Sequence, residues 1–461
     1  MRDRRILGWY FFDWAAQPYH TVLLTFVFGP FFAQIASQYF AGTGLEDQAA
    51  DARAQSLWSA CLTISGLIVG IGAPVIGAFA DTTGRRMPWI AVFSIFYVFG
   101  AASLWTTQPD GSNLWTALVL FSVGFVAAEY AQIFVNAQLP GLAARSEVGR
   151  VSGSGFAFGY LGGLIALVFA LLLLVEQANG LTLAKLVPGF GLMDPETMQG
   201  TRATGPFVAL WFAVFMVPFF LWVREPARAA RLSFRSALSR LTASFKELPG
   251  RPSLFSFLGG SMFYRDALNG LYSFGGTYAL LALDWEITRI GVFGIVSVIA
   301  AAVFSWIGGR LDRRFGPKPV VIVTILGLIA VCVTVANMSR EAVFGMTLET
   351  GSTLPDRIFL VCGILIGGFG GTLQAASRSL MVRHTEPGAE TSGFGLYGLT
   401  GRATSFLAPA LIGAATAITG DVRNGVMPLI GLFLVGLLLL RWTRADGDRA
   451  EKWVETSSAP S

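Results

Sequence analysis

Histidine, cysteine and charge are all scarce in this chain of 461 residues. Its two histidines, His20 and His384, cannot supply a clustered metal site without many carboxylates beside them. Its three cysteines, Cys61, Cys332 and Cys362, are odd in number and lie inside apolar runs, so no disulfide framework is implied. No GxxxxGK[ST] phosphate loop occurs, which excludes a transporter driven by its own ATP hydrolysis. Nothing calls for a cofactor, a metal or an enzymatic reaction. Charged residues make up 13% of the chain, roughly half the ~25% of a soluble domain. Apolar residues make up 54%, and the mean hydropathy is +0.60. Twelve membrane helices of ~20 residues would use ~240 positions, close to the apolar content. The composition is that of a polytopic membrane protein.

Apolar runs long enough to cross a bilayer fall into two sets of six, from Leu7 to Val223 and from Leu254 to Leu440. The fifth and eleventh runs are the least continuous, being rich in glycine and polar residues. Met1–Arg5 ahead of the first run has the look of a signal peptide. The run is longer than a 7–15-residue signal core and contains Asp13, which favours an uncleaved first span. The expected organisation is an N-terminal bundle over 1–223, a cytoplasmic linker over 224–251, a C-terminal bundle over 252–442 and a polar tail over 443–461.

With both termini inside, the inner segments hold 23 of the 33 basic residues and the outer loops six. That bias sets both termini in the cytoplasm, in a cell (inner) membrane, or a vacuolar-type one if the source is eukaryotic. The linker is basic and amphipathic, with Leu232, Phe234, Leu238, Leu241 and Phe245 on one face. It reads as a helix on the anionic lipid surface rather than a nucleic-acid site.

The halves repeat weakly. Phe263-Tyr264-Arg265-Asp266 echoes Tyr10-Phe11-Phe12-Asp13, and SGFG at Ser392–Gly395 echoes SGSG at Ser152–Gly155. A basic loop opened by glycine and aspartate follows the second span (Gly77, Asp81) and the eighth (Gly308, Asp312). Two bundles in the same orientation, related by an axis along the membrane normal, would produce this pattern. The expected fold is all-α, twelve spans in two six-helix bundles around a central cavity.

The loop GAFADTTGRRMPW resembles the GxxxDxxGRR signature of the major facilitator superfamily through Gly77, Asp81, Gly84, Arg85 and Arg86. Its second copy, GGRLDRRFGPKP, has one extra residue before Gly316. Five further stretches resemble the branch containing fungal vacuolar amino-acid effluxers of the autophagy pathway: Asp13–Phe28, Asn136–Ala143, Gly149–Gly163, Gln374–Leu380 and Gly393–Pro409. The chain departs from it at Ala16-Gln17 and after Leu139-Pro140. The resemblance implies alternating-access transport of amino acids or similar small polar metabolites, most simply exported, by a monomer in the lipid bilayer. Proton coupling is the leading expectation. An uncoupled facilitator and a non-transporting receptor on a carrier fold remain open.

In that superfamily spans one, four, seven and ten line the cavity, and polar faces fall on those spans here. They are Asp13, Gln17 and His20; Glu129, Gln132 and Asn136; Arg265, Asn269 and Tyr272; and Gln374 with Arg378. Ionisable groups in spans are costly and by default functional. Asp13 has a second reading as an interfacial carboxylate near Arg4 or Arg5, His20 as a packed residue, and Asp266 as a bond in a helix seam. Glu129 is the leading candidate for proton coupling. Asp81 is expected to latch the cytoplasmic end on the first N–H groups of span eleven near Ser392, with Arg85 and Arg86 holding its loop. Arg402 is assigned either to a fixed partner, Asp266 or Glu129, or to a substrate carboxylate.

Overall fold

A computed structural model describes residues 2–448 apart from 178, 226–238, 240, 241, 243–245, 286 and 350. The apolar stripe expected on the basic linker and the tail beyond Asp448 lie outside the described residues. Ten described helices are long and apolar enough to cross a membrane. Two further helical segments are consistent with the twelve spans expected. One is the helix Pro252–Leu281, whose apolar character is diluted by Arg265, Asp266 and Asn269. The other is a broken pair, Glu390–Ala403 and Leu407–Thr419, each too short to cross alone. Helices dominate because every backbone group inside lipid must be bonded within its own segment.

The chain forms two compact units. Residues 1–69, 85–135 and 158–228 make the first, and 70–84, 136–157 and 229–461 the second. The second therefore takes in the ends of spans two and four and the start of span five, beside all of the last six spans.

In the first unit, span one begins as the helix Arg2–Pro18, continues as a π-helix over Tyr19–Phe26 and resumes as Phe28–Gly42. Pro18 has no N–H and its ring crowds the preceding turn, so the ladder widens there rather than passing straight through. Aromatic residues fill the interior. Trp9 is fully buried and donates its indole N–H to Val135 O at 2.9 Å. Tyr97 stacks on Phe212 with ring centroids 3.8 Å apart. Glycines admit close approach: a Cβ on Gly162 would stand 2.6 Å from Trp14 O.

The second unit is built around span ten, Leu354–His384, packed against span eight, Ile287–Phe315. A Cβ at Gly367 would lie 2.1 Å from Ser297 O, so only glycine permits this separation. Bulky side chains such as Ile71, Ile95 and Leu210 point outward in both units, as a lipid-facing belt requires.

Candidate functional site

The first unit carries a polar face of its own. The Asp13 carboxylate is buried on span one and accepts a hydrogen bond from Gln132 Nε2 at 3.3 Å. Gly159 of span five lies against Asp13, and Gly163 against Gln17 and Thr21, so spans one and five meet closely here. Two residues past Pro18, His20 Nε2 lies 3.7 Å from Glu129 Oε1, with both side chains partly exposed. Spans one and four thus present Asp13, Gln17, His20, Glu129 and Gln132 together. Asn136 continues the same helical face by spacing and falls in the second unit.

Asn136 accepts a hydrogen bond at 3.1 Å from Arg378, which is 2% exposed. The same guanidinium donates to Ser152 Oγ at 2.9 Å and Ser152 O at 2.8 Å, and its centre lies 4.2 Å from the Phe156 ring. Ser152 Oγ donates in turn to Ala375 O at 2.8 Å. Arg378 therefore ties the end of span four and the start of span five to span ten. The repeated SGSG stretch was the sequence signal for Ser152, while spacing alone could not name Arg378 as its partner.

On span seven, Arg265 and Asp266 serve different halves of the broken span eleven. Arg265 Nη1 donates to Tyr397 O at 2.9 Å, and its guanidinium lies 4.2 Å from the Tyr397 ring centre. Asp266 Oδ2 accepts from Ala408 N at 3.0 Å, at the start of Leu407–Thr419. A carboxylate at a helix start and a guanidinium near a helix end match the two ends of the dipoles. Asp266 is 2% exposed, and its Oδ1 has no hydrogen-bond partner among the described residues. Asn269 and Tyr272 share the Arg265 face, and the Tyr272 hydroxyl lies against Gly370, one turn from Gln374 on span ten. Arg402 stands in the last turn of the first half-helix, half-buried, with Gly70 against its Cβ.

The motif-bearing loop after span two closes a seam with span eleven. Asp81 Oδ2 accepts from Ser392 N at 2.8 Å and Ser392 Oγ at 2.7 Å, and Oδ1 accepts from Thr391 N at 3.2 Å. A Cβ on Gly77 would fall 2.7 Å from Thr391 O, which is why glycine stands there. Gly84 turns the chain with φ 64. Beyond it, within the first unit, the N–H groups of Arg86 and Met87 donate to Glu225 Oε2 at 2.7 and 3.0 Å. The Arg86 guanidinium faces Glu225 Oε1 at 3.9 Å. Glu225 is a partner that the motif did not announce. In the second copy, Asp312 is 1% exposed and pressed against Gly149 at the start of the helix Val148–Leu173. Asp312 is thus the counterpart of Asp81, although its oxygens make no hydrogen bond among the described residues.

A family profile described as "Vacuole effluxer Atg22 like" matches residues 1–452. The chain belongs to the Atg22-like family. It is 26% identical over 443 residues to the uncharacterised MFS-type transporter YxiO of Bacillus subtilis, covering 94% of this chain and 93% of that one. It is 25% identical over 321 residues to autophagy-related protein 22 of Cryptococcus neoformans, covering 67% of this chain and 53% of the fungal protein. The match thus spans about half of the fungal relative. The solved proton:xylose symporter XylE superposes with a TM-score of 0.71 at 12% identity, covering 96% of this chain and 94% of that one. The human organic anion transporter MFSD10 superposes with a TM-score of 0.68 at 15% identity, covering 95% and 99%. The fold is that of the major facilitator superfamily, and this Atg22-like chain is an integral membrane transporter.

Proposed function

We propose that this Atg22-like chain is a secondary carrier that exports a small polar solute of amino-acid type by alternating access, in exchange for protons. The observation that carries the coupling is the His20–Glu129 pair at 3.7 Å, a carboxylate and an imidazole facing each other within a span interior. Burial disfavours the charged carboxylate and a nearby cation favours it. A carboxylate whose surroundings alternate between these two conditions binds and releases one proton per cycle. The direction rests on the family, whose description names an effluxer, and the solute class on the resemblance to fungal vacuolar amino-acid effluxers. The carrier works as a monomer, with both termini in the cytoplasm as the basic bias directs. An impermeant thiol reagent should label a cysteine at Thr43 from outside and spare one at Ser236; the reverse pattern would invert the topology.

Asp81 is the latch of the cytoplasmic end in this reading, with Asp312 its symmetry counterpart and Arg378 a buried tie among spans four, five and ten. The test of coupling uses Glu129→Gln in proteoliposomes with labelled amino acids. Accumulation driven by a pH gradient should be lost while counterflow persists. Gradient-driven accumulation at the wild-type level would remove Glu129 from the proton path.

A further inference from the structure

We propose that Arg265 anchors a carboxylate of the transported solute at the break in span eleven. The inference rests on the carrier reading and names the chemical group the carrier recognises. Arg265 stands 13 residues into the helix Pro252–Leu281, about 20 Å from its start at 1.5 Å per residue. Its guanidinium sits too deep to snorkel to water, and an ionised group at that depth requires a counter-charge.

The neighbouring carboxylate does not supply it. Asp266 turns away to cap Ala408 at the start of the second half-helix. Among the described residues Arg265 takes no carboxylate partner; its contacts are the Tyr397 carbonyl and ring. These are neutral groups that orient the guanidinium and offset part of its cost. One N–H of the fork is used on Tyr397, and an arginine carries five. The residue is half-buried rather than sealed. A fork with one edge fixed and the other edge open suits a two-oxygen anion held bidentately.

Gly401 makes the arrangement possible. A Cβ there would fall 2.5 Å from the Arg265 guanidinium carbon and both terminal nitrogens. Asn269 and Tyr272 follow on the same helical face, one and two turns on, and Tyr272 reaches the glycine one turn before Gln374. Amide and hydroxyl groups therefore lie within about 10 Å of the fork by helical rise. That spacing fits the remaining polar groups of an amino-acid-sized solute.

The experiment measures ligand-induced thermal shifts on the purified full chain with matched acid and amide probes: leucine against leucinamide, and benzoate against benzamide. For the wild type an acid should shift the melting temperature and its amide should not. Arg265→Gln should abolish that preference. Gly401→Ala keeps the charge but displaces the guanidinium, and should weaken acid binding about ten-fold or more; it carries the test if Arg265→Gln does not fold. Equal shifts by acid and amide in the wild type, or an intact acid preference in both variants, would overturn the anchor. A preference confined to benzoate would sustain the anchor and sink the amino-acid reading. No shift with any acid would overturn both.

Discussion

Asp81 receives three hydrogen bonds from two residues at the start of span eleven. Charge-assisted bonds contribute roughly 1.5–3 kcal/mol net, and an anion at a helix start about 0.3–2 kcal/mol. An asparagine keeps one acceptor oxygen and loses the charge, so Asp81→Asn should weaken the seam by about 1–2 kcal/mol, or 5- to 30-fold in population. Thr391 is fully buried in this seam. A cysteine there should react with a thiol reagent correspondingly faster in the Asp81→Asn background, whereas an unchanged rate would remove the latch. This contact was legible because both partners have local signatures, a motif for Asp81 and a helix start at Ser392. Neighbouring Arg265 and Asp266 were less so. Their helical positions separate them by ~100°, but which half of span eleven each one meets depends on a break that no proline or charge in 404–406 marks. Asn136 shares its helical face with Glu129 and Gln132 by spacing, but spacing could not name Arg378 as its partner.

At the level of elements, interruptions do most to shape the polar faces of each unit. Pro18 announced the change in span one, since a residue without an N–H must disturb its ladder. The break after Ala403 leaves two half-helices whose ends face Arg265 and Asp266. The stretch just after the last span forms a third device that was not legible. Asp448 accepts from Ser253 N at 3.0 Å and Leu254 N at 2.9 Å, capping span seven. Asp446 pairs with Arg383 at 2.9 Å and faces Arg145 at 3.7 Å. From sequence this tail is simply polar, and a cap supplied from nearly 200 residues away leaves no local pattern. Losing a cap costs about 0.5–2 kcal/mol, while an exposed ion pair contributes about 0–1 kcal/mol. Asp446 is the more exposed of the two contacts, at 64%. Asp448→Ala should therefore lower the melting temperature of the purified protein more than Asp446→Ala does. Equal losses would show that the cap has no special weight.

Across the whole molecule, composition was enough for a polytopic helical membrane protein, because lipid leaves a spanning chain few alternatives to helices, and the loop through Gly77, Asp81 and Gly84 carried the resemblance to the superfamily. The repeat also pairs Asp81 with Asp312, although the extra residue before Gly316 hides their register until the packing against Gly149 is seen. Substrate chemistry is a different matter, since it depends on a few side chains from distant spans that composition does not constrain. The central claim is that transport requires the Asp81 seam to part in every cycle. The most direct measurement is amino-acid counterflow in proteoliposomes, before and after a reducible cross-link joins cysteines placed at Asp81 and Thr391. The account predicts saturable counterflow in the unlinked protein, its arrest in proportion to cross-linking, and recovery on reduction. Undiminished counterflow through fully cross-linked protein would contradict it.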